Sequence, residues 1–128
     1  MRFDHVGVLV PDLEAAKAFA RDVLGLGEPE REFEAPEHKL AGAFFSLEQG
    51  EVEFFTVEPG RDLGLDHVAV TVDDIEAERD RLAAQGVRFT GPGGPDEISE
   101  PIELRGAKHL WTVPETSGGC RYQLIQKP

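Results

Sequence analysis

The sequence predicts an α+β fold made of two similar βαβββ modules. Three observations lead there. The chain has 128 residues, which fits about one domain. A segment from Phe3 to Ala15 recurs from Leu65 to Ala77 at a constant offset of 62, with Asp, His, three Val, Asp, Glu and Ala in register. Each copy then reads as an alternating strand, a helix and three further strand candidates. Two copies at this long period do not make a solenoid. One domain over 1–128 is expected, with module one at 1–60 and module two at 64–127.

The first strand of module one alternates strictly. Val6, Val8 and Val10 share one face, and His5, Gly7 and Leu9 share the other. In module two, Val68, Val70 and Val72 oppose His67, Ala69 and Thr71. The valine faces should pack on helices. The histidine faces carry small residues beside the ring, which leaves room for something that is not protein. Leu13, Ala16, Phe19, Ala20, Val23 and Leu24 have helical spacing, and Gly25 is a stop signal. Ile75, Leu82 and Ala83 repeat this more weakly, with Asp73 and Glu76 resembling a capping box and Gly86 closing the helix. Strands are expected at about 30–35, 41–48 and 51–57, then at about 87–90, 107–113 and 120–126. Residues 91–106 form the longest irregular stretch, a candidate lid or rim. The modules are joined by the short segment Glu58–Gly64.

Composition narrows the function classes. Hydrophobic residues make up 40% and charged residues 30%, a globular balance. The net charge of −12 argues against nucleic acid, whose phosphates need concentrated positive charge, and against anionic membrane surfaces. No apolar run approaches the ~20 residues of a membrane span, and Met1–Val10 lacks the features of a signal peptide. A cytoplasmic setting and a small-molecule substrate are the resulting expectations. Cys120 is the single cysteine, so neither a disulfide nor a thiolate cluster is available.

Chemistry points to the histidine faces. A lone strand histidine is ordinarily a hydrogen-bonded core or rim residue. Two at repeat-equivalent positions, His5 and His67, would converge if the modules pack about a pseudo-twofold axis, which is the start of a metal site. The last strand of each module offers an oxygen donor. Glu53 shares a face with Phe55 and Val57, and Gln123 shares one with Arg121 and Ile125. Such groups are costly to bury unless paired or metal-bound. Arg121 is placed to hold a substrate carboxylate or phosphate. His109 and Trp111 share a face on the adjacent strand and, with Phe55, are candidate pocket lining. Phe44 and Phe45 must point oppositely, so one can line the cavity. Tyr122 and Leu124 should pack inward on a helix.

These residues carry a family resemblance. Asp4-His5-Val6-Gly7-Val8, Pro11-Asp12-Leu13-Glu14-Ala15-Ala16 and Val23-Leu24-Gly25-Leu26 resemble the vicinal oxygen chelate superfamily, and Leu65-Asp66-His67-Val68-Ala69-Val70 with Val72-Asp73-Asp74-Ile75-Glu76 resemble its second module. That superfamily includes glyoxalase I, methylmalonyl-CoA epimerase, extradiol dioxygenases and antibiotic resistance proteins. The resemblance spans nearly the whole chain and is weaker at 26–48 and 88–106. It implies a curved mixed sheet around a central cavity holding one divalent metal ion (Zn, Ni, Co, Mn or Fe). The implied ligands are His5, Glu53, His67 and Gln123. The implied chemistry is chelation of two neighbouring substrate oxygens and proton transfer alpha to a carbonyl, by an isomerase or lyase acting on a small carbonyl or thioester. A homodimer is implied as well.

Two features depart from the nearest families. The last-strand ligand is usually Glu in both glyoxalase I and the epimerase, and an amide such as Gln123 cannot serve as a base. The epimerase's second carboxylate falls near Gly42. Glu53 is then the one ligand able to move a proton, which suits a one-base isomerisation better than a two-base epimerisation. Two alternatives stand beside this reading. A ring-cleaving dioxygenase would find its residue types in His5, His67 and Glu53, with the carboxylate in the wrong module. A non-catalytic binding protein on the same fold would not need His5 and His67.

Overall fold

The computed structural model describes residues 1–57 and 61–128, so Glu58, Pro59 and Gly60 of the joining segment lie outside the described residues. Two compact units make up the chain, one of His5–Asp66 and one of Met1–Asp4 with His67–Pro128. Among the described residues there are ten strands and two α-helices, an α+β composition as the sequence predicts.

In the His5–Asp66 unit, strand β1 (Arg2–Leu9) from His5 onward, β2 (Arg31–Ala35), β3 (Leu40–Leu47) and β4 (Gly50–Thr56) lie in the order β2-β3-β4-β1. The β1–β4 pair is parallel, and β3 runs antiparallel to both β2 and β4. A parallel pair needs a crossover, and the chain between β1 and β4 supplies it. Helix α1 (Leu13–Ala18) starts at Asp12, whose side chain accepts from the Ala15 amide at 3.1 Å. It continues as a π-helical segment, Phe19–Val23, closed by the Leu24 amide donating to the Phe19 carbonyl at 2.9 Å.

That wider winding corrects the expected apolar stripe. Adding a residue to the turn rotates every later side chain about the helix axis. Ala20 is buried against Ala43 and Phe45, with Leu13, Leu26, Val52 and Phe54 around them. Phe19, Val23 and Leu24 instead remain exposed. The register sets Val6 opposite Val52 and Val8 opposite Phe54, so the valine face of β1 belongs to this side of the sheet.

The other unit repeats the plan. Strands β5 (Gly64–Thr71), β6 (Phe89–Thr90), β9 (Ala107–Thr112) and β10 (Tyr122–Gln126) occur in the order β6-β9-β10-β5, with β5 parallel to β10. Helix α2 (Ile75–Ala83) covers a core of Val72, Ile75, Phe89, Leu110 and Leu124, joined by Val70 and Leu82. Lys108 on β9 bonds Glu76 on α2 at 2.8 Å and holds that carboxyl below the usual carboxylate range.

Three expectations need correction here. The N-cap of α2 is Asp74, not Asp73: its side chain accepts from the Ala77 amide at 3.0 Å, the bond that a cap must make. Asp74 matches Asp12 across the repeat. The 91–106 stretch is not wholly irregular, because β7 (Glu97–Ile98) pairs with β6 and β8 (Ile102–Leu104) pairs with β9. Tyr122 shares its side of the sheet with Leu124, yet it is 37% exposed at the strand end while Leu124 is 1% exposed. Among the described residues, no helix is long and apolar enough to cross a membrane.

Candidate metal centre

Each unit places a histidine and an oxygen donor by the same register. In one unit Glu53 sits opposite Gly7 across the parallel β1–β4 pair. In the other Gln123 sits opposite Ala69 across the parallel β5–β10 pair. Neighbours across a ladder share a face. The histidine lies two residues before the small residue in each case, so it lies on that face too. Gly7 and Ala69 keep the face low between the histidine and the oxygen donor.

In the His5–Asp66 unit, His5 is 4% exposed, and its Nε2 lies 3.6 Å from Glu53 Oε1. The Glu53 side chain is 12% exposed. A gap of 3.6 Å is too long for a hydrogen bond. It suits two donors aimed at a common point, since ligand atoms each ~2.0–2.2 Å from an ion stand roughly 3.0–3.5 Å apart. Phe44 packs its ring on His5 edge to face, with centroids 5.3 Å apart. Phe44 is therefore the site-side member of its pair, while Phe45 belongs to the α1 core. Phe55 and Leu9 are buried on the same face. Gly42 faces the ring of Phe33, and a Cβ there would lie 2.2 Å from Phe33 Cζ.

In the other unit, His67 is 6% and Gln123 7% exposed. Gln123 Nε2 lies 3.0 Å from His109 Nδ1. The His109 ring stacks on Trp111, with centroids 5.7 Å apart and planes 16° apart. Arg121 lies over the other end of this group, 5.8 Å from the Trp111 centroid. Its Nη2 donates to the Pro92 carbonyl at 2.8 Å and to the Gly91 carbonyl at 3.4 Å. Arg121 thus fastens the start of the 91–106 stretch to the strand that carries Gln123.

The structure adds two residues to those read from the sequence. Arg31 lies 3.8 Å above the Phe44 ring and bonds Glu51 at 2.9 Å, and Phe33 caps Gly42. Both stand on β2, on the site-side face of its ladder with β3. The β2 segment has no counterpart in the repeated stretch, so no register in the sequence marks its inner face.

Within the His5–Asp66 unit, His5 and Glu53 present a buried imidazole beside a nearly buried carboxylate, both donor types that divalent ions take. In the other unit, His67 and Gln123 present an imidazole and an amide, a nitrogen and an oxygen donor type that such ions also take.

The fold and these donors define a class, a paired-module protein with nitrogen and oxygen donors in each half, and the comparisons identify its family. A model for the glyoxalase/bleomycin resistance protein/dioxygenase superfamily matches residues 4–101, and the chain belongs to that superfamily. It is 33% identical to the ethylmalonyl-CoA/methylmalonyl-CoA epimerase of Cereibacter sphaeroides, over 98% of this chain and 97% of that one. It is 34% identical to the lactoylglutathione lyase of Haemophilus influenzae, over 98% of this chain and 93% of that one. The crystal structure of methylmalonyl-CoA epimerase from Mycobacterium tuberculosis shares the fold, with a TM-score of 0.79 at 21% identity over 99% of this chain and 88% of that one. An epimerase and a lyase of similar length place this chain among the isomerases and lyases of its superfamily.

Proposed function

We propose that this chain is a divalent-metal-dependent isomerase or lyase. It moves a proton on the carbon alpha to the carbonyl of a small carbonyl compound or thioester. The observation that carries this reading is the doubled construction, a buried histidine and a buried or nearly buried oxygen donor set by one register in each unit. His5 and Glu53 from one unit and His67 and Gln123 from the other are the ligands of one ion, and the two units act as one catalytic domain. When bound, a divalent ion supplies Lewis-acid stabilisation of negative charge on substrate oxygens.

Everything else falls to side chains. Glu53 is the proton acceptor and donor, because it is the one carboxylate in the ligand set. Gln123 has no acidic or basic form at working pH. The Phe33 ring lies over Gly42, so the position where a second base would stand offers none. This favours moving one proton out and back by a single group. Phe55 and Trp111, both 5% exposed, give an apolar lining that strengthens the electrostatics of the site. Arg121 holds the rim and brings a cation to the substrate side.

The named substrates of the two relatives are thioesters, so a thioester is the first class to try. The reading includes a homodimer, for which exposed Phe19, Val23 and Leu24 offer apolar surface, and a cytoplasmic setting. The test is solvent exchange. The protein loaded in turn with Co(II), Ni(II), Mn(II), Zn(II) or Fe(II) is incubated in deuterium oxide with methylmalonyl-CoA or lactoylglutathione. Deuterium entering the alpha carbon supports proton transfer. Tight binding of these compounds without exchange supports the non-catalytic alternative and overturns the enzyme reading.

A further inference from the structure

An amide is an awkward metal ligand. Its oxygen can donate to a divalent ion and its NH2 cannot, yet the two ends are nearly the same size. A carboxylate has no such problem. A buried glutamine at a ligand position therefore needs something to fix which end faces the ion. That requirement can be traced in the second unit.

Gln123 Nε2 lies 3.0 Å from His109 Nδ1. An NH2 nitrogen only donates, so Nδ1 must accept, and the ring carries its proton on Nε2. With the NH2 end held by β9, Oε1 is turned away from it. The ring itself is held in place. It stacks on Trp111, which is 5% exposed and stands directly opposite Gln123 in the β9–β10 register. His109 pairs with Ile125 and so reaches Gln123 diagonally across the ladder. Trp111 fixes the ring plane, and the ring fixes the amide.

We propose that His109 is a positioning residue that orients the Gln123 amide so that its oxygen is the metal donor. The inference rests on the metal-site reading and deepens it. His109 is thereby assigned to the ligand and not to the substrate. It also accounts for an amide where a carboxylate would otherwise stand, because the site supplies the orientation that an amide lacks.

The test is Co(II) binding, measured by titration and by the visible spectrum of the bound ion. The proteins are the parent chain, His109→Phe, His109→Asn, and Gln123→Glu with and without His109→Phe. Removing an outer partner of a ligand typically weakens binding by about 10–100-fold, and that loss is expected for His109→Phe. His109→Asn should restore most of it, because Asn Oδ1 can accept where Nδ1 did. In the Gln123→Glu background, His109→Phe should change affinity by less than about threefold, since both carboxylate oxygens can ligate. Equal losses in the two backgrounds would mean a merely structural histidine and overturn the inference. So would parent-like affinity and spectrum in His109→Phe. Nitrogen NMR of the parent needs no variant: a His109 ring protonated on Nδ1 would overturn the inference as well. A parent chain that binds no Co(II) sinks the metal reading itself, which separates the two failures.

Discussion

The proposed function gives Glu53 two duties, ligand and proton carrier, and one substitution separates them. Glu53→Gln keeps an oxygen donor of nearly the same shape beside His5 and removes the proton-accepting group. The variant should keep its ion, bound more weakly, and lose exchange at the alpha carbon by at least about 100-fold, the low end of what general acid–base catalysis contributes. Exchange within about threefold of the parent would show that another group moves the proton. At this scale much could be read in advance. Strict alternation on β1 and β5 gives the faces of His5 and His67, and the repeat equates them. The Gln123–His109 contact could not be read, because it is diagonal and depends on the β9–β10 register. Arg31 escaped for a similar reason: its stacking on Phe44 exists only once β2 lies on β3.

Between residues and the whole chain, the helix starts show how the repeat constrains local structure. Asp12 and Asp74 fall in register and make the same cap, each accepting from the amide three residues on. Asp73 instead reaches Arg2 at 3.7 Å, with the Asp73 side chain 95% exposed. Asp74→Ala should therefore cost about 1 kcal/mol of stability, and Asp73→Ala close to nothing, as exposed ion pairs usually do. Thermal or urea unfolding of the two variants checks this, and the reverse order would contradict the cap. The aspartate-first capping pattern pointed one residue early because Asp73 and Asp74 are adjacent, and only hydrogen-bond geometry chooses between them. The apolar stripe of α1 misled differently. Periodicity assumes one helical pitch, and the π-helical segment Phe19–Val23 breaks it, leaving Phe19, Val23 and Leu24 outside while Ala20 goes in. Strand positions are legible in the sequence because alternation and turn residues bracket them. The short strands Glu97–Ile98 and Ile102–Leu104 have no alternating pattern and form only by pairing with β6 and β9.

For the molecule as a whole, the repeat is the organising fact. One strand order and one parallel pairing occur in both units, and the proposed function draws half of its ligands from each. The halves differ in charge. One offers a carboxylate able to carry a proton, and the other an amide that cannot. Substrate choice is less readable, because residues 26–48 and 88–106 lie outside the repeated stretches and have no register partner in the other half. That proposed ligand set requires cooperation, since two of its four donors alone would hold an ion weakly. The direct measurement is divalent metal per chain in the purified protein beside His5→Ala and His67→Ala, by elemental analysis after dialysis. About one ion per chain, lost in both variants while each stays folded, is the expected result. An ion kept by either variant, or none bound by the parent after loading with manganese, cobalt, nickel, zinc or iron, would contradict a centre shared by the two units.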